Sequence, residues 1–246
     1  MKYFDVITLF PEMFSALTDF GVTGRAQQRQ LYELVCWNPR DFTVDPRKTV
    51  DDRPFGGGAG MVMMAEPLTR SLSAAVSRQK SKGVKESISI FLSPQGVPLT
   101  QKIVSTLSER EGLILLAGRY EGVDQRVIDQ SIDLEISVGD YVLSGGELPA
   151  MSLLDAIVRL LPGALNQSGS LAEESFSDDL LEYPQYTRPE IFNGSPVPEV
   201  LLSGHHERIK AWRKQQAFDR TFSRRPDLLS WEGKTPLIQA VRTKNS

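Results

Sequence analysis

Three glycine-bearing segments could bring main-chain groups to a ligand: Leu92-Ser93-Pro94-Gln95-Gly96, Gly118-Arg119-Tyr120-Glu121-Gly122, and residues 138–147, VGDYVLSGGE. Without a Cβ, a glycine lets backbone N–H and C=O groups approach a bound molecule closely. Tight turns alone account for any one of these segments. Three in succession, each placed after a short apolar run, favour a small-molecule site. A fourth stretch, Asp51 to Met61 (DDRPFGGGAGM), has the glycines of a phosphate loop but no Gly-Lys-Ser/Thr, and the GxGxxG spacing is absent. It reads as a loop with two carboxylates and an arginine at its base, able to close over a ligand.

Other chemistries find little support. Cys36 is the single cysteine, which excludes an intramolecular disulfide and a CxxC site and fits a reducing compartment. His205 and His206 are adjacent, so they cannot share a helical face as i, i+4 ligands do, and no other histidine exists to build a zinc site or a Ser-His-Asp triad. GxSxG is missing as well.

The elements that must carry the glycine segments follow from periodicity. Tyr3–Phe10, Leu31–Trp37, Ser87–Ser93, Leu113–Ala117 and, more weakly, Asp133–Val138 have the length and β-branched content of buried strands. Helical patterns at 66–82, 99–110 and 121–130 alternate with them, which predicts an α/β domain on a largely parallel sheet. A longer helix, 148–161, stops at Pro162-Gly163. Domains are therefore expected at 1–162 and 174–246, joined by a flexible Gly/Ser/Asn-rich linker at 163–173. The second domain reads as small and helical, with a proline-studded stretch at 183–198 and an exposed helix near 204–223.

Composition bounds the class. The chain has 246 residues, enough to bury a core without staples. The apolar runs fall far short of the roughly 20 residues of a membrane span, and Met1 to Phe10 does not read as an export signal; a cytoplasmic location is expected. The net charge of −3 is uneven. Residues 208–225 hold seven basic side chains against one acid, Asp219, a patch suited to a polyanion or simply to a solvated helix face. Trp212, inside that patch, could stack on a base or pack in a core.

LSPQG, GRYEG, SVGDYVLSGGELPAM, VDDRPFGGGAGMVMM, YPQYTRP and LLSGHHERIKAWR, in this spacing, closely resemble the bacterial tRNA (guanine-N1)-methyltransferases of the TrmD family, over about Tyr3 to Pro226. The resemblance implies a SPOUT-type α/β fold whose parallel sheet carries a deep trefoil knot, plus a small helical C-terminal domain. It implies S-adenosylmethionine in the knot, transfer to N1 of guanine 37 of tRNA, and an obligate homodimer whose active site is shared between subunits. Leu92, Ser93 and Pro94 would line the cofactor pocket, with Gly118, Tyr120, Glu121 and Gly122 from the second segment. Ser137, Val138, Gly139 and Tyr141 would follow from the third, then Leu143, Gly145, Gly146 and Pro149. The basic helix would face tRNA, with Arg208 and Arg213 as contacts; Asp51, Arg53 and Gly60 are the corresponding candidates in the glycine loop.

Guanine N1 carries a proton near neutral pH, and its removal drives negative charge onto O6. A general base and a nearby cation are therefore required. By resemblance, Arg159 supplies the cation. The base falls on Glu174, where the family pattern carries an aspartate; Glu173 and Asp178 are the reserves. As simpler roles, Arg159 would complement a helix C-terminus and Glu174 the start of the next helix. Family members also depend on Mg²⁺, for which the sequence shows no ligand cage. Two other functions stay open: a knotted methyltransferase acting elsewhere on RNA, and a non-catalytic RNA-binding module.

Overall fold

The computed structural model describes residues 1–165, 174–176 and 178–229. The described residues fall into two compact units, 1–165 and 174–229. The first contains β1 (Lys2–Ile7), α1 (Ser15–Thr18), α2 (Gly21–Gln28), β2 (Tyr32–Trp37), β3 (Asp51–Asp52), β4 (Val62–Met63) and α3 (Ala65–Ser81). It continues with β5 (Ser87–Pro98), α4 (Gln101–Ser108), β6 (Gly112–Leu116), α5 (Gln125–Ser131), β7 (Leu134–Ser137) and α6 (Glu147–Arg159).

Five strands form one sheet in the order β2-β1-β6-β5-β7, and every pairing is parallel. Side chains alternate across a strand, so each strand supplies two faces. Phe4, Val6, Ile90, Leu113 and Leu115 enter the core shared with α2, α4 and α6, whereas Ile7, Phe91, Ile114 and Leu116 enter the one beneath α3 and α5. Covering both faces explains why these strands read as unbroken apolar runs. Helix α6 buries Leu153, Leu154, Ile157 and Val158 at helical spacing. Leu115 is fully buried, and Leu115→Ala would cost about 2–5 kcal/mol.

The LSPQG segment lies within a strand rather than after one, which corrects the sequence reading. Leu92 and Val97 both align with Ile136 of β7, so residues 93–96 leave the ladder and β5 resumes beyond them. Pro94 has no N–H to donate, and the Gln95 amide turns to Ser93 Oγ at 3.2 Å instead of to a neighbouring strand. Helix α5 likewise begins later than periodicity suggested, at Gln125, where Asp124 caps it by accepting from the Arg126 amide at 3.0 Å. The first unit also reaches past Pro162: Ala164 is buried in its core. The remainder of the expected linker, 166–173, lies outside the described residues.

The second unit contains β8 (Ile191–Phe192) and β9 (Ser195–Pro196), an antiparallel hairpin, then α7 (Glu199–Leu202) and α8 (His206–Arg224). It is thus helical with a small hairpin inside the stretch expected to be irregular.

Candidate active site

The second and third glycine segments lie beyond the C-terminal ends of β6 and β7, where open α/β sheets bind ligands, and the first is the irregular part of β5 beside β7. The Gly146 amide donates to the Gly118 carbonyl at 2.9 Å, which joins the loop after β7 to the loop after β6. Within the former, Ser137 Oγ bonds both to the Gly139 amide, at 3.2 Å, and to its carbonyl, at 3.1 Å. The Tyr141 hydroxyl donates to the Val138 carbonyl at 3.3 Å. Leu99 N donates to Ser137 O at 2.7 Å, which ties the returning end of β5 to the same loop. Tyr141, Val142, Leu143 and Leu148 are left exposed beside these main-chain turns. Leu92 and Ser93 are buried, and Leu92 belongs to the core. Ligand contact from Leu92 would therefore come from its backbone.

The DDRPFGGGAGM stretch is a hairpin. Asp51 pairs with Met63 and Asp52 with Val62, and the glycines form the loop between β3 and β4. Its base is sewn to the second glycine segment: Glu121 N donates to Met61 O at 3.0 Å and Met63 N to Gly122 O at 2.9 Å. Gly60 lies against the Glu121 side chain. Tyr120 sits between the two, its hydroxyl accepting from Arg40 Nη2 at 3.4 Å. Burial, followed by the bond to Asp51 and its charge, pushes the Tyr120 hydroxyl above the usual tyrosine range, with Arg40 opposing. Asp51, Gly60, Tyr120 and Glu121 are thus brought together. Arg53 is exposed, and its amide bonds to Asp52 Oδ1 at 2.7 Å.

Sequence reasoning singled out neither Arg119 nor Glu147. Glu147 has no exposed surface; Oε2 accepts from Arg119 Nε at 2.8 Å and Oε1 from Thr8 Oγ1 at 2.9 Å. An acid straight after a glycine pair at a helix start was the available signal, but nothing in sequence distinguishes it from an ordinary first-turn acid.

Arg159 occupies the last turn of α6 and is half-buried. Glu174, half-buried in a bend, belongs to the second unit. Among the described residues no helix starts there. Phe176 N donates to Leu180 O at 2.7 Å in a tight turn, and Leu181 N reaches Thr221 Oγ1 on α8 at 2.8 Å. The described residues around Glu174 therefore form a turn rather than the helix start expected from the sequence. Asp178 is exposed in the same turn, and Glu173 lies outside the described residues.

On α8, Arg208 faces solvent, whereas the Arg213 guanidinium stacks on Tyr183, 4.7 Å from the ring centroid. Trp212 is half-buried and packs on the exposed Tyr186 with ring centroids 6.3 Å apart. Tyr183, Tyr186, Ile209 and Arg213 border a groove of about 510 Å³ along the YPQYTRP segment. His205 and His206 are both exposed, and among the described residues no three His, Cys, Asp or Glu side chains gather to hold a metal ion.

The model of the TrmD family, tRNA (guanine-1)-methyltransferase, matches residues 1–231. The chain belongs to this family. Relatives named tRNA (guanine-N(1)-)-methyltransferase agree. The one from Methylobacillus flagellatus is 60% identical over 229 residues, covering 93% of this chain and 87% of its own. That of Nitrosospira multiformis is 58% identical over 227 residues, covering 92% and 89%, and that of Cupriavidus necator 57% identical over 241 residues, covering 98% and 93%. As a TrmD-family member of the SPOUT class, this chain is a transferase that methylates guanine N1 in tRNA.

Proposed function

We propose that this TrmD-family protein uses S-adenosylmethionine to methylate guanine 37, beside the anticodon, and that the three joined loops hold the cofactor. The observation that carries this is the main-chain union of Gly118 with Gly146 beside exposed Tyr141 and Leu143. Such a site offers backbone donors and acceptors for a polar nucleoside and apolar surface for its base. S-adenosylmethionine, when bound, supplies an electrophilic methyl group on a sulfonium leaving group.

The protein's own task is at the guanine. Glu174 accepts the N1 proton, and Arg159 stabilises the charge that develops on O6. The carboxylate of Glu174 stands one methylene further from the backbone than that of the family's aspartate. The bond from Phe176 to Leu180 and the bond from Leu181 to α8 support that role by anchoring the segment that follows Glu174. Asp51 and Gly60, fixed against Tyr120 and Glu121, suit contacts to the nucleotides around the target; Arg53 and Arg208 suit phosphates. With no metal-binding cluster among the described residues, no step is assigned to Mg²⁺.

The trefoil knot of the family belongs to the same proposal; Gly146 lies against Ala117 and Gly118, and Gly96 against the Glu135–Ile136 backbone. We infer two domains, the first reaching through Ala164 and the second from 174, joined by a linker, in a homodimer that shares each site. The protein would work in the cytoplasm, where tRNA is found; no described helix is long and apolar enough to cross a membrane. Because N1-methylation blocks the pairing edge of guanine, reverse transcription of treated tRNA should halt beside guanine 37. Full-length readthrough would refute the assignment.

A further inference from the structure

We propose that Arg119 and Glu147 are a positioning pair for the cofactor, setting the spacing between the loop after β6 and the loop after β7. This rests on the reading that those loops hold S-adenosylmethionine.

A guanidinium is a rigid planar fork, so the directions of its N–H groups are fixed relative to one another. Arg119 sits in the loop after β6. Its Nε donates to Glu147 Oε2 at 2.8 Å at the start of α6, and its Nη1 to the Ser144 carbonyl at 3.1 Å in the loop after β7. Nη2 points to Met13 Sδ at 3.8 Å, and the guanidinium lies over the Phe10 ring at 4.5 Å. One planar group therefore grips both ends of the 144–147 segment and braces it against the chain that follows β1. Glu147 completes the arrangement by accepting from Thr8, also beyond β1, at 2.9 Å.

The space around the pair is tight. Gly145 lies directly against the Arg119 side chain, and any side chain there would displace it. A buried ion pair is a poor source of net stability because both charges lose their hydration. Its effect here is geometric. Ser144 to Gly146 cannot drift from Gly118 while the fork holds both the Ser144 carbonyl and the Glu147 carboxylate. The ring of donors that faces a ligand is then preorganised before the ligand arrives.

Arg119→Lys keeps the charge but loses the fork. Titration with S-adenosylmethionine should show affinity weakened by about ten-fold, with the loss falling on KM for the cofactor rather than on kcat at saturation. Thr8→Val is close in size and removes the hydroxyl that donates to Glu147 and also accepts from the Phe10 amide at 3.0 Å, the same chain that braces Arg119; it should weaken affinity by about two- to five-fold, and Thr8→Ser should restore it. Unfolding curves for each variant separate this from instability, and if Arg119→Lys does not fold, the Thr8 pair decides. Wild-type affinity in folded Arg119→Lys, or in Thr8→Val when Arg119→Lys does not fold, would overturn the proposal. A wild-type protein that does not bind S-adenosylmethionine would instead refute the cofactor reading.

Discussion

The amide of Gly146 donates to the carbonyl of Gly118 at 2.9 Å, and a Cβ built on Gly146 would stand 2.7 Å from the Cα of Ala117. The approach is backbone to backbone, so neither side can yield by rotating a side chain. Gly146→Ala should push the two loops apart. A loss of about 1–3 kcal/mol is expected, with a fall in melting temperature of about 2–4 °C for each kcal/mol. Cofactor affinity should fall with it. An unchanged melting curve together with full affinity would show that the loops are not held by this approach.

On the proposed mechanism Arg159→Ala would remove the cation near O6 and should lower kcat by about 10²–10³, with cofactor affinity nearly unchanged. A full-rate variant would remove Arg159 from the chemistry.

Glu174→Gln keeps size and removes basicity, so single-turnover methyl transfer should slow by about 10²–10⁴. Glu174→Asp should be tolerated. An active Glu174→Gln would move the base to Glu173 or Asp178.

Much of the first unit was legible because burial on both faces leaves apolar runs that no other element explains: Leu113 to Leu116 is the clearest case. The hairpin of β3 and β4 was not legible as strands. Two-residue strands have no periodicity, and the hairpin is tied down by bonds from Met61 and Met63 to Glu121 and Gly122, far away in sequence. Helix α2 was missed because Gly21, Thr23, Gly24 and its glutamines dilute its apolar signal. The glycine segments were legible in the sequence, but the Arg119–Glu147 pair inside them was not, since ion pairing across 28 residues is a property of the fold. Arg213 read as a phosphate contact, and only the structure shows it stacked on Tyr183.

Cys36 offers a check on the burial of β2. Burial, with the charges of Asp5 and Glu12, pushes its thiol up from 9.0 to about 12. An acid whose folded-state pKa is raised holds its proton more tightly when folded. Its contribution to stability is therefore complete below about 9 and declines as pH rises toward about 12. Iodoacetamide at about pH 8 should label the native protein at least about a hundred-fold more slowly than the urea-unfolded chain, because thiolate is the nucleophile. Equal rates would contradict the burial.

Arg208, Lys210 and Lys214 are exposed on α8. Replacing all three with alanine should weaken tRNA binding and flatten its salt dependence, by about 0.7–0.9 in log–log slope for each phosphate no longer neutralised. An unchanged slope would make this helix a merely solvated face.

The most direct measurement is methyl transfer from labelled S-adenosylmethionine to an unmodified tRNA transcript with guanine at positions 36 and 37, beside the same transcript with guanine 37 replaced. Label in the first alone is the predicted result. Label in both, or in neither while the cofactor binds, would contradict the assignment to guanine 37.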